Sequence, residues 1–176
     1  RDHINQQEIL NKVGLPCFVK PTDAGSSYGV SKVKKANQLL DAINHAFEHG
    51  KEVIIEAFLD GRELTNGVYL NEEGIQVLPI TEIISENEFF DYEAKYKGQS
   101  NEVTPAKISI DLEKKIKDLT FKIYDILGMK GIARIDYIVN DDGNSFLIEI
   151  NSVPGMSKES IVPQMAKYLE IHLKKL

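Results

Sequence analysis

The sequence has few of the features that mark secreted, membrane-bound or nucleic-acid-binding proteins. It contains a single cysteine, Cys17, which excludes an internal disulfide framework and is typical of a reducing cytoplasm. No apolar run approaches the length of a membrane-spanning helix, and no signal peptide is visible. The net charge is −6, and no dense lysine and arginine cluster favours nucleic acid. We therefore expect a cytoplasmic protein that binds neither nucleic acid nor membranes.

Length and patterning indicate the broad fold class. The 176 residues, 42% hydrophobic and 27% charged, suit one or two small globular domains with a sizeable core. The first residue is Arg1 rather than methionine, which indicates a fragment of a longer protein. Helical and strand patterns follow one another along the chain, which predicts an α+β fold. The Asp60–Gly61 turn is the expected joint between two subdomains.

The periodicity of apolar residues predicts the individual elements. Helical patterns cover residues 5–12, 36–49 and 111–127, the last capped by Asp111, and a further helix begins near Ser160–Pro163. The predicted apolar face of the second helix consists of Leu39, Leu40, Ile43, Ala46 and Phe47, and the predicted buried residues of the third are Leu112, Ile116, Leu119, Ile123, Ile126 and Leu127. Strand patterns cover residues 18–20, 30–34, 52–59, 65–70 and 75–84 and two runs between 131 and 151. The polar stretch from Ser85 to Lys107 has no period, and a loop of that length is usually functional or mobile.

The last two strands form a hairpin with an unusual polar face. Asp142–Gly143 predicts a two-residue turn, which places Glu149 opposite Asp136 and Asn151 opposite Arg134. Facing carboxylates repel each other, and a divalent cation such as Mg²⁺, which prefers hard oxygen ligands, would neutralise them. Arg134 adds a fixed positive charge for a phosphoryl group or an oxyanion. A solvated face neutralised by lysine explains the same pattern, so the hairpin alone leaves both interpretations open.

A loop of small residues follows the first strand. Gly25, Ser26, Ser27 and Gly29 allow a backbone to approach phosphate oxygens and offer hydroxyl donors, and Lys20 lies at the base of the loop. The loop is not a P-loop, because no Gly-Lys-Ser/Thr closes it and no helix follows directly. A flexible turn between two strands is the alternative interpretation.

Three further segments are candidates for ligand contacts. The Pro154–Gly155 turn presents backbone N–H groups, and the helix that begins after it can hold a carboxylate at its N-terminus. The segment from Glu56 to Glu63 lies at a strand end. Its backbone groups could bind the edge of an adenine, and a carboxylate could bind ribose hydroxyls. Residues 91–96, Asp-Tyr-Glu-Ala-Lys-Tyr, could close over a reaction. The alternative interpretations are an ordinary strand exit for the first segment, a polar turn for the second and a solvated loop for the third.

Taken together and in chain order, these segments resemble the ATP-grasp part of the D-alanine–D-alanine ligase family. The matching motifs are Val-Lys-Pro with Gly-Ser-Ser-Tyr-Gly, Ile-Glu-Ala-Phe-Leu with Glu63, Tyr-Glu-Ala-Lys-Tyr, Ala-Arg-Ile-Asp-Tyr and Glu-Ile-Asn-Ser-Val-Pro-Gly-Met. The resemblance implies an α+β ATP-grasp fold with antiparallel sheets flanked by helices and the nucleotide between two subdomains. Residues 1–60 would be part of the central subdomain with the phosphate loop, and residues 61–176 the C-terminal subdomain with the metal and substrate residues.

The resemblance also implies an activity. The carboxylate of one D-alanine attacks the γ-phosphate of ATP, and the amine of a second displaces phosphate from the acylphosphate, giving a peptidoglycan precursor. The implied cofactors are ATP and Mg²⁺, with Mn²⁺ as a substitute, and the full-length protein is expected to form a homodimer. The family's N-terminal domain is absent here, so the fragment alone is expected to be inactive in ligation. Another ATP-grasp carboxylate–amine ligase and a non-catalytic ATP-binding module are the alternatives.

The resemblance implies residue roles in four groups. The nucleotide would be bound by Lys20, Ser27, Glu56, Ala57, Phe58, Leu59, Glu63 and Lys95. The metal ions would be bound by Asp136, Glu149 and Asn151. Arg134 and the Gly155 amide would stabilise the oxyanion, while Ser26 and Tyr96 would hydrogen-bond across the closed loop, Tyr96 being typical of dipeptide ligases. The second D-alanine would be bound by Gly155, Ser160 and Ile161. Ala57 stands where the family often has lysine, which leaves backbone contacts for adenine.

Overall fold

The computed structural model describes residues 4–24, 27–85 and 100–176. The described chain divides into two compact units, residues 4–59 in the first and residues 60–85 with 100–176 in the second. The functional division at residue 60 into a phosphate-loop subdomain and a metal and substrate subdomain stays a prediction. In the described ranges, no helix is both long and apolar enough to cross a membrane.

The first unit is a three-stranded antiparallel sheet with two α-helices. Its strands are β1 (Cys17–Pro21), β2 (Ser31–Val33) and β3 (Val53–Ala57), in the order β2-β1-β3. Its helices are α1 (Gln6–Val13) and α2 (Leu39–His49), and a 3₁₀ turn, Ala36–Gln38, precedes α2. Asn5 caps α1 by accepting a hydrogen bond from the Glu8 N–H. The helix predicted over 5–12 is confirmed, and the one predicted over 36–49 is a 3₁₀ turn followed by α2.

The core of the first unit lies between one face of this sheet and α2. Every second residue of β1 faces this core, and Cys17 and Val19 are fully buried there. Leu39 and Ala46 of α2 are also fully buried. Burial raises the pKa of the Cys17 thiol, as expected for a core cysteine. Leu40, predicted to lie in the buried stripe, is exposed because the stripe follows positions 39, 42, 43 and 46.

The second unit is a five-stranded antiparallel sheet with two α-helices. Its strands are β4 (Arg62–Asn71), β5 (Gly74–Ser85), β6 (Ser100–Val103), β7 (Ile132–Val139) and β8 (Ser145–Asn151), in the order β6-β5-β4-β7-β8. Its helices are α3 (Ile110–Ile126) and α4 (Ile161–Tyr168). Strand β6 corrects the prediction of one loop from Ser85 to Lys107. Residues 86–99 of that predicted loop lie outside the described residues.

Helix α3 covers the apolar face of this sheet. Its buried positions, Ile116, Thr120 and Tyr124, follow a four-residue spacing and meet a core that includes Leu64, Ile135 and Tyr137. The predicted cap was wrong, because the Ser109 hydroxyl, not Asp111, accepts the hydrogen bond from the Leu112 N–H at 3.3 Å. The prediction that Ile126 and Leu127 are buried was also wrong, since the buried stripe ends at Tyr124 and the last turn is exposed.

The β7–β8 hairpin has the predicted pairs but a different turn. Asp136 lies opposite Glu149 and Arg134 opposite Asn151, as predicted. Val139 pairs with Ser145, however, so the loop holds three residues between Asn140 and Asn144 rather than two. Gly143 allows this loop by adopting φ 76°. A β-bulge at Ile148 then shifts the register by one residue and restores the predicted pairs.

Candidate active site

A buried carboxylate forms the centre of the polar face of the second unit. Asp136 on β7 is 8% exposed and accepts four hydrogen bonds. Arg134 Nε and a terminal nitrogen donate to its two oxygens at 2.9 and 2.8 Å. The Thr65 hydroxyl donates to Oδ1 at 2.5 Å, and Asn151 Nδ2 donates to Oδ2 at 3.0 Å. The structure therefore brings Arg134, Asp136 and Asn151 together, as the sequence predicted.

Arg134 lies among several carboxylates. Burial alone would lower its pKa, but the hydrogen bond and the charge of Asp136, with the charges of Glu149 and Glu63, outweigh burial and raise the pKa. Glu149 is exposed on β8, opposite Asp136, and Glu63 lies on β4 two residues before Thr65. Arg134 is thus a permanent cation that can bind phosphoryl or carboxylate oxygens.

The donor set on this face suits a hard cation. Asp136, Glu149 and Asn151 offer carboxylate and amide oxygens, the ligands that Mg²⁺ prefers. Both Asp136 oxygens already accept hydrogen bonds from Arg134, and Thr65 and Asn151 each donate to one of them. A bound cation would therefore replace at least one of these donors, and the exposed Glu149 carboxylate is the more accessible ligand.

Helix α4 packs against this sheet close to Arg134. Gly67 is the register partner of Arg134, and an added Cβ there would lie 2.8 Å from Leu78 Cδ1 and 3.1 Å from Met165 Sδ. Gln164 of α4 donates to Glu102 Oε2 on β6 at 2.9 Å. Burial raises the pKa of Glu102, although the Gln164 hydrogen bond and the charge of Arg134 act in the opposite direction.

The loop before α4 brings together the predicted substrate residues. An added Cβ on Gly155 would lie 2.8 Å from Ser160 Oγ, so the loop backbone passes close to the Ser160 hydroxyl, which would have to rotate away from any larger residue. The Ser160 hydroxyl is also 2.8 Å from that of Ser157, and Ile161, the first residue of α4, is buried. Gly155, Ser160 and Ile161 are therefore neighbours, while their role in substrate binding stays a prediction.

In the first unit, Lys20 and Glu56 form an ion pair. Lys20 Nζ lies 2.6 Å from Glu56 Oε2, on the sheet face opposite the core. Lys32 Nζ lies 4.0 Å from the centre of the Phe58 ring and 5.9 Å from that of Phe18, within the range of a cation–π contact. Two lysines and two aromatic rings thus share the face that carries the predicted nucleotide-binding residues.

The remaining predicted nucleotide contacts have varied surroundings. The Phe58 N–H donates to the Pro16 carbonyl at 3.1 Å, and Ala57 pairs with Cys17, so the sheet already uses the Phe58 amide. Leu59 is the last residue of the first unit, and Ser27 has a left-handed φ of 61°. Ser26, Lys95 and Tyr96 lie outside the described residues.

Comparisons with known proteins agree with the resemblance. The family model described as the D-ala D-ala ligase C-terminus matches residues 1–176. The chain belongs to this ligase family. A D-alanine–D-alanine ligase from Flavobacterium johnsoniae is 50% identical over 175 residues, which are 99% of this chain and 54% of the relative. The chain therefore spans about half the length of the curated relatives it matches.

Solved structures of related ligases share the fold. The VanG D-Ala:D-Ser ligase from Enterococcus faecalis has a TM-score of 0.84 and 35% identity, over 96% of this chain and 49% of that one. The Bacillus anthracis D-alanine–D-alanine ligase complexed with ATP has a TM-score of 0.80 and 29% identity, over 99% of this chain and 53% of that one. These likenesses confirm the α+β ATP-grasp fold.

Sequence reasoning missed three residues of this ligase-family domain. Thr65 lies on β4 opposite Asp136 and donates a hydrogen bond to it. The available signal was its position two residues after Glu63, which places both side chains on the same face of the strand. Lys32 lies opposite Phe18 on β2, and only the register between the two strands reveals the contact. Glu102 lies on β6, a strand too short and polar to show a period.

Proposed function

We propose that the full-length protein is an ATP-dependent D-alanine–D-alanine ligase and that this chain carries most of its nucleotide and metal ligands. The observation that carries the proposal is the cluster of Arg134, Asp136, Glu149 and Asn151 on one sheet face. An intact cluster of this kind argues against a non-catalytic relative. The 50% identity with a D-alanine–D-alanine ligase supports this substrate over those of other carboxylate–amine ligases.

The proposed reaction has two steps. A carboxylate oxygen of the first D-alanine forms a bond to the γ-phosphorus while the bond to the ADP oxygen breaks. The amine of the second D-alanine then attacks the acyl carbon, loses a proton and expels phosphate. Arg134 and the Gly155 N–H would stabilise the negative oxygen that develops on the acyl carbon, because fixed donors are most effective where charge appears during the reaction.

Asp136, Glu149 and Asn151 would bind Mg²⁺. When bound, the metal would neutralise charge on the transferring phosphoryl group. An Arg134 N–H group that no longer bound Asp136 could donate to the substrate instead. Ser160 and the Gly155 region would bind the carboxylate of the second D-alanine, and Ile161 would line its pocket.

Lys20 would bind ATP phosphates together with Ser27 and Lys95, and Glu56 would hold Lys20 in place through their ion pair. Because the Phe58 N–H is already bound to Pro16, the adenine contact would use the other backbone groups of Ala57 to Leu59, with Glu63 on the ribose. Hydrogen bonds of Ser26 and Tyr96 across the closed loop, Mn²⁺ as a substitute, a homodimer and a cytoplasmic location are further parts of this proposal.

Turnover by the full-length protein tests the proposal. Phosphate release and chromatographic detection of the product should show a dipeptide from ATP and D-alanine. D-serine, D-lactate and L-alanine, offered as the second substrate, should react more slowly. Preferred use of any of these three over D-alanine would contradict the assignment. The 176-residue chain alone should not form the dipeptide at a useful rate, because losing the position of one substrate can remove several powers of ten in rate.

A further inference from the structure

A separate group of possible metal ligands lies at the C-terminal end of α2, in the first unit. His45, Glu48 and His49 are exposed, and one ligand atom of each lies within 4.8 Å of those of the other two. The ligase reaction proposed above uses none of them. Imidazole nitrogens also differ chemically from the oxygen donors around Asp136, and they favour zinc, copper and nickel over Mg²⁺.

The helix itself brings these side chains together. His45 and His49 are four residues apart and Glu48 is three residues after His45, so all three lie on one helix face. The two imidazole rings have centres 5.0 Å apart and meet edge to face at 81°. His45 Nδ1 lies 3.5 Å from Glu48 Oε2. Two ligand atoms of a tetrahedral zinc ion are roughly 3.4 Å apart, given bonds of about 2.0–2.1 Å.

A second contact fixes the position of His49. An added Cβ on Gly29 would lie 2.9 Å from His49 Cβ, so the glycine backbone packs directly against the histidine. The ring of Tyr28 lies 6.3 Å from the ring of His49 between their centres. One ligand is thereby held against the end of the small-residue loop. A metal bound to His49 would therefore change the surroundings of Tyr28 and Gly29.

We propose that His45, Glu48 and His49 form a surface site for a divalent transition-metal ion of the zinc class. Two neutral imidazoles and one carboxylate supply three ligands, and water completes the coordination shell. Because the ligands come from one helix, the site needs only adjustments of side-chain rotamers to close on the ion. Mg²⁺ does not compete for it, since the hard ion binds imidazole poorly.

Titration of the chelator-treated full-length protein with Zn²⁺, without nucleotide and with excess Mg²⁺, tests this site. Calorimetry should show one Zn²⁺ bound per chain. His45→Asn and His49→Asn should each weaken binding about tenfold or more. His3→Asn and His172→Asn, which change the other two histidines of this chain, are matched controls and should leave the affinity unchanged. Equal Zn²⁺ affinity in the parent, His45→Asn and His49→Asn would overturn the proposal.

A local readout distinguishes direct binding from an indirect effect on folding. The amide NMR signals of Tyr28 and Gly29 should shift when Zn²⁺ is added to the parent protein. They should not shift in His49→Asn, and a cooperative unfolding transition in urea should show that this variant still folds. Zn²⁺-dependent shifts that persist in His49→Asn would place the ion elsewhere and overturn the proposal.

Discussion

Thr65 donates its hydroxyl to Asp136 Oδ1 at 2.5 Å, and both side chains are buried. The bond joins the neighbouring strands β4 and β7 at the buried, negatively charged Asp136 carboxylate. A buried carboxylate is stable only when donors surround it, because it has lost its hydration. Thr65 therefore supports the charge on which the proposed metal site depends.

Thr65→Val should destabilise the protein more than a matched change elsewhere. Valine keeps the shape of threonine but removes the donor, and a bond to a charged group is worth about 1.5–3 kcal/mol of unfolding free energy. Thr120→Val is the control, because Thr120 is equally buried but bonds the neutral Tyr137 hydroxyl, at 2.9 Å. Its expected loss is about 1 kcal/mol. Urea denaturation measures both, and a smaller loss for Thr65→Val would contradict the prediction.

Arg134→Lys should lower turnover of the full-length enzyme by about 10²–10³-fold, the usual effect of losing one oxyanion donor. Lysine keeps the charge but loses the planar fork that now binds Asp136 through two nitrogens. Arg62→Lys is a matched control, because Arg62 makes the same kind of forked contact with Glu82, with both distances 2.7 Å. It should leave kcat nearly unchanged. Similar losses in both variants would indicate a structural role for Arg134.

Nucleotide affinity should depend on Mg²⁺, because Asp136 lies opposite Glu149. Calorimetric titration of the full-length protein with ATP should show tighter binding with the metal than without it. Glu149→Gln and Asp136→Asn should remove most of this difference, and Glu73→Gln, in the exposed turn between β4 and β5, should retain it. If the parent protein binds ATP equally well in the two titrations, the metal site is not where we place it.

Glu102→Gln should stabilise the protein at pH 7. Burial raises the pKa of Glu102, so the native state holds its proton at pH values where the unfolded chain, with an ordinary pKa of about 4.3, has lost it. The free energy of unfolding therefore falls as the pH rises through that window. Glutamine carries no charge and can still accept the hydrogen bond from Gln164.

The gain from Glu102→Gln should shrink as the pH falls below the ordinary glutamate pKa of about 4.3, because the parent carboxyl then becomes protonated in both states. Urea denaturation at several pH values measures it, with Glu72→Gln, in the exposed turn after β4, as the control. A variant less stable than the parent at pH 7 would show that the attraction between Glu102 and Arg134 outweighs the burial of the charge.

Local patterns in the sequence predicted the strand pairing of the β7–β8 hairpin well. Alternation along two strands placed Arg134, Asp136, Glu149 and Asn151 on one face, and the structure confirms their pairing. The predicted turn was one residue too short, and the β-bulge was not foreseen. The two errors cancel, because each shifts the register by one residue in the opposite sense.

Contacts between distant segments could not be predicted in the same way. Lys20 and Glu56 were both expected to bind nucleotide, but their ion pair depends on the register of β1 against β3, which no local pattern encodes. The exposure of Ile126 and Leu127 has a similar origin, because helical periodicity does not reveal where the partner sheet ends.

The β-bulge at Ile148 also determines which changes in chain length the site can tolerate. Residues gained or lost between Val139 and Ser145 alter only the loop, because strand pairing resumes beyond it. A single residue gained or lost between Ser145 and Glu149 would instead turn the Glu149 carboxylate to the other face of the sheet. Related chains should therefore vary in length at the tip of this hairpin and keep a constant spacing from the bulge to Asn151.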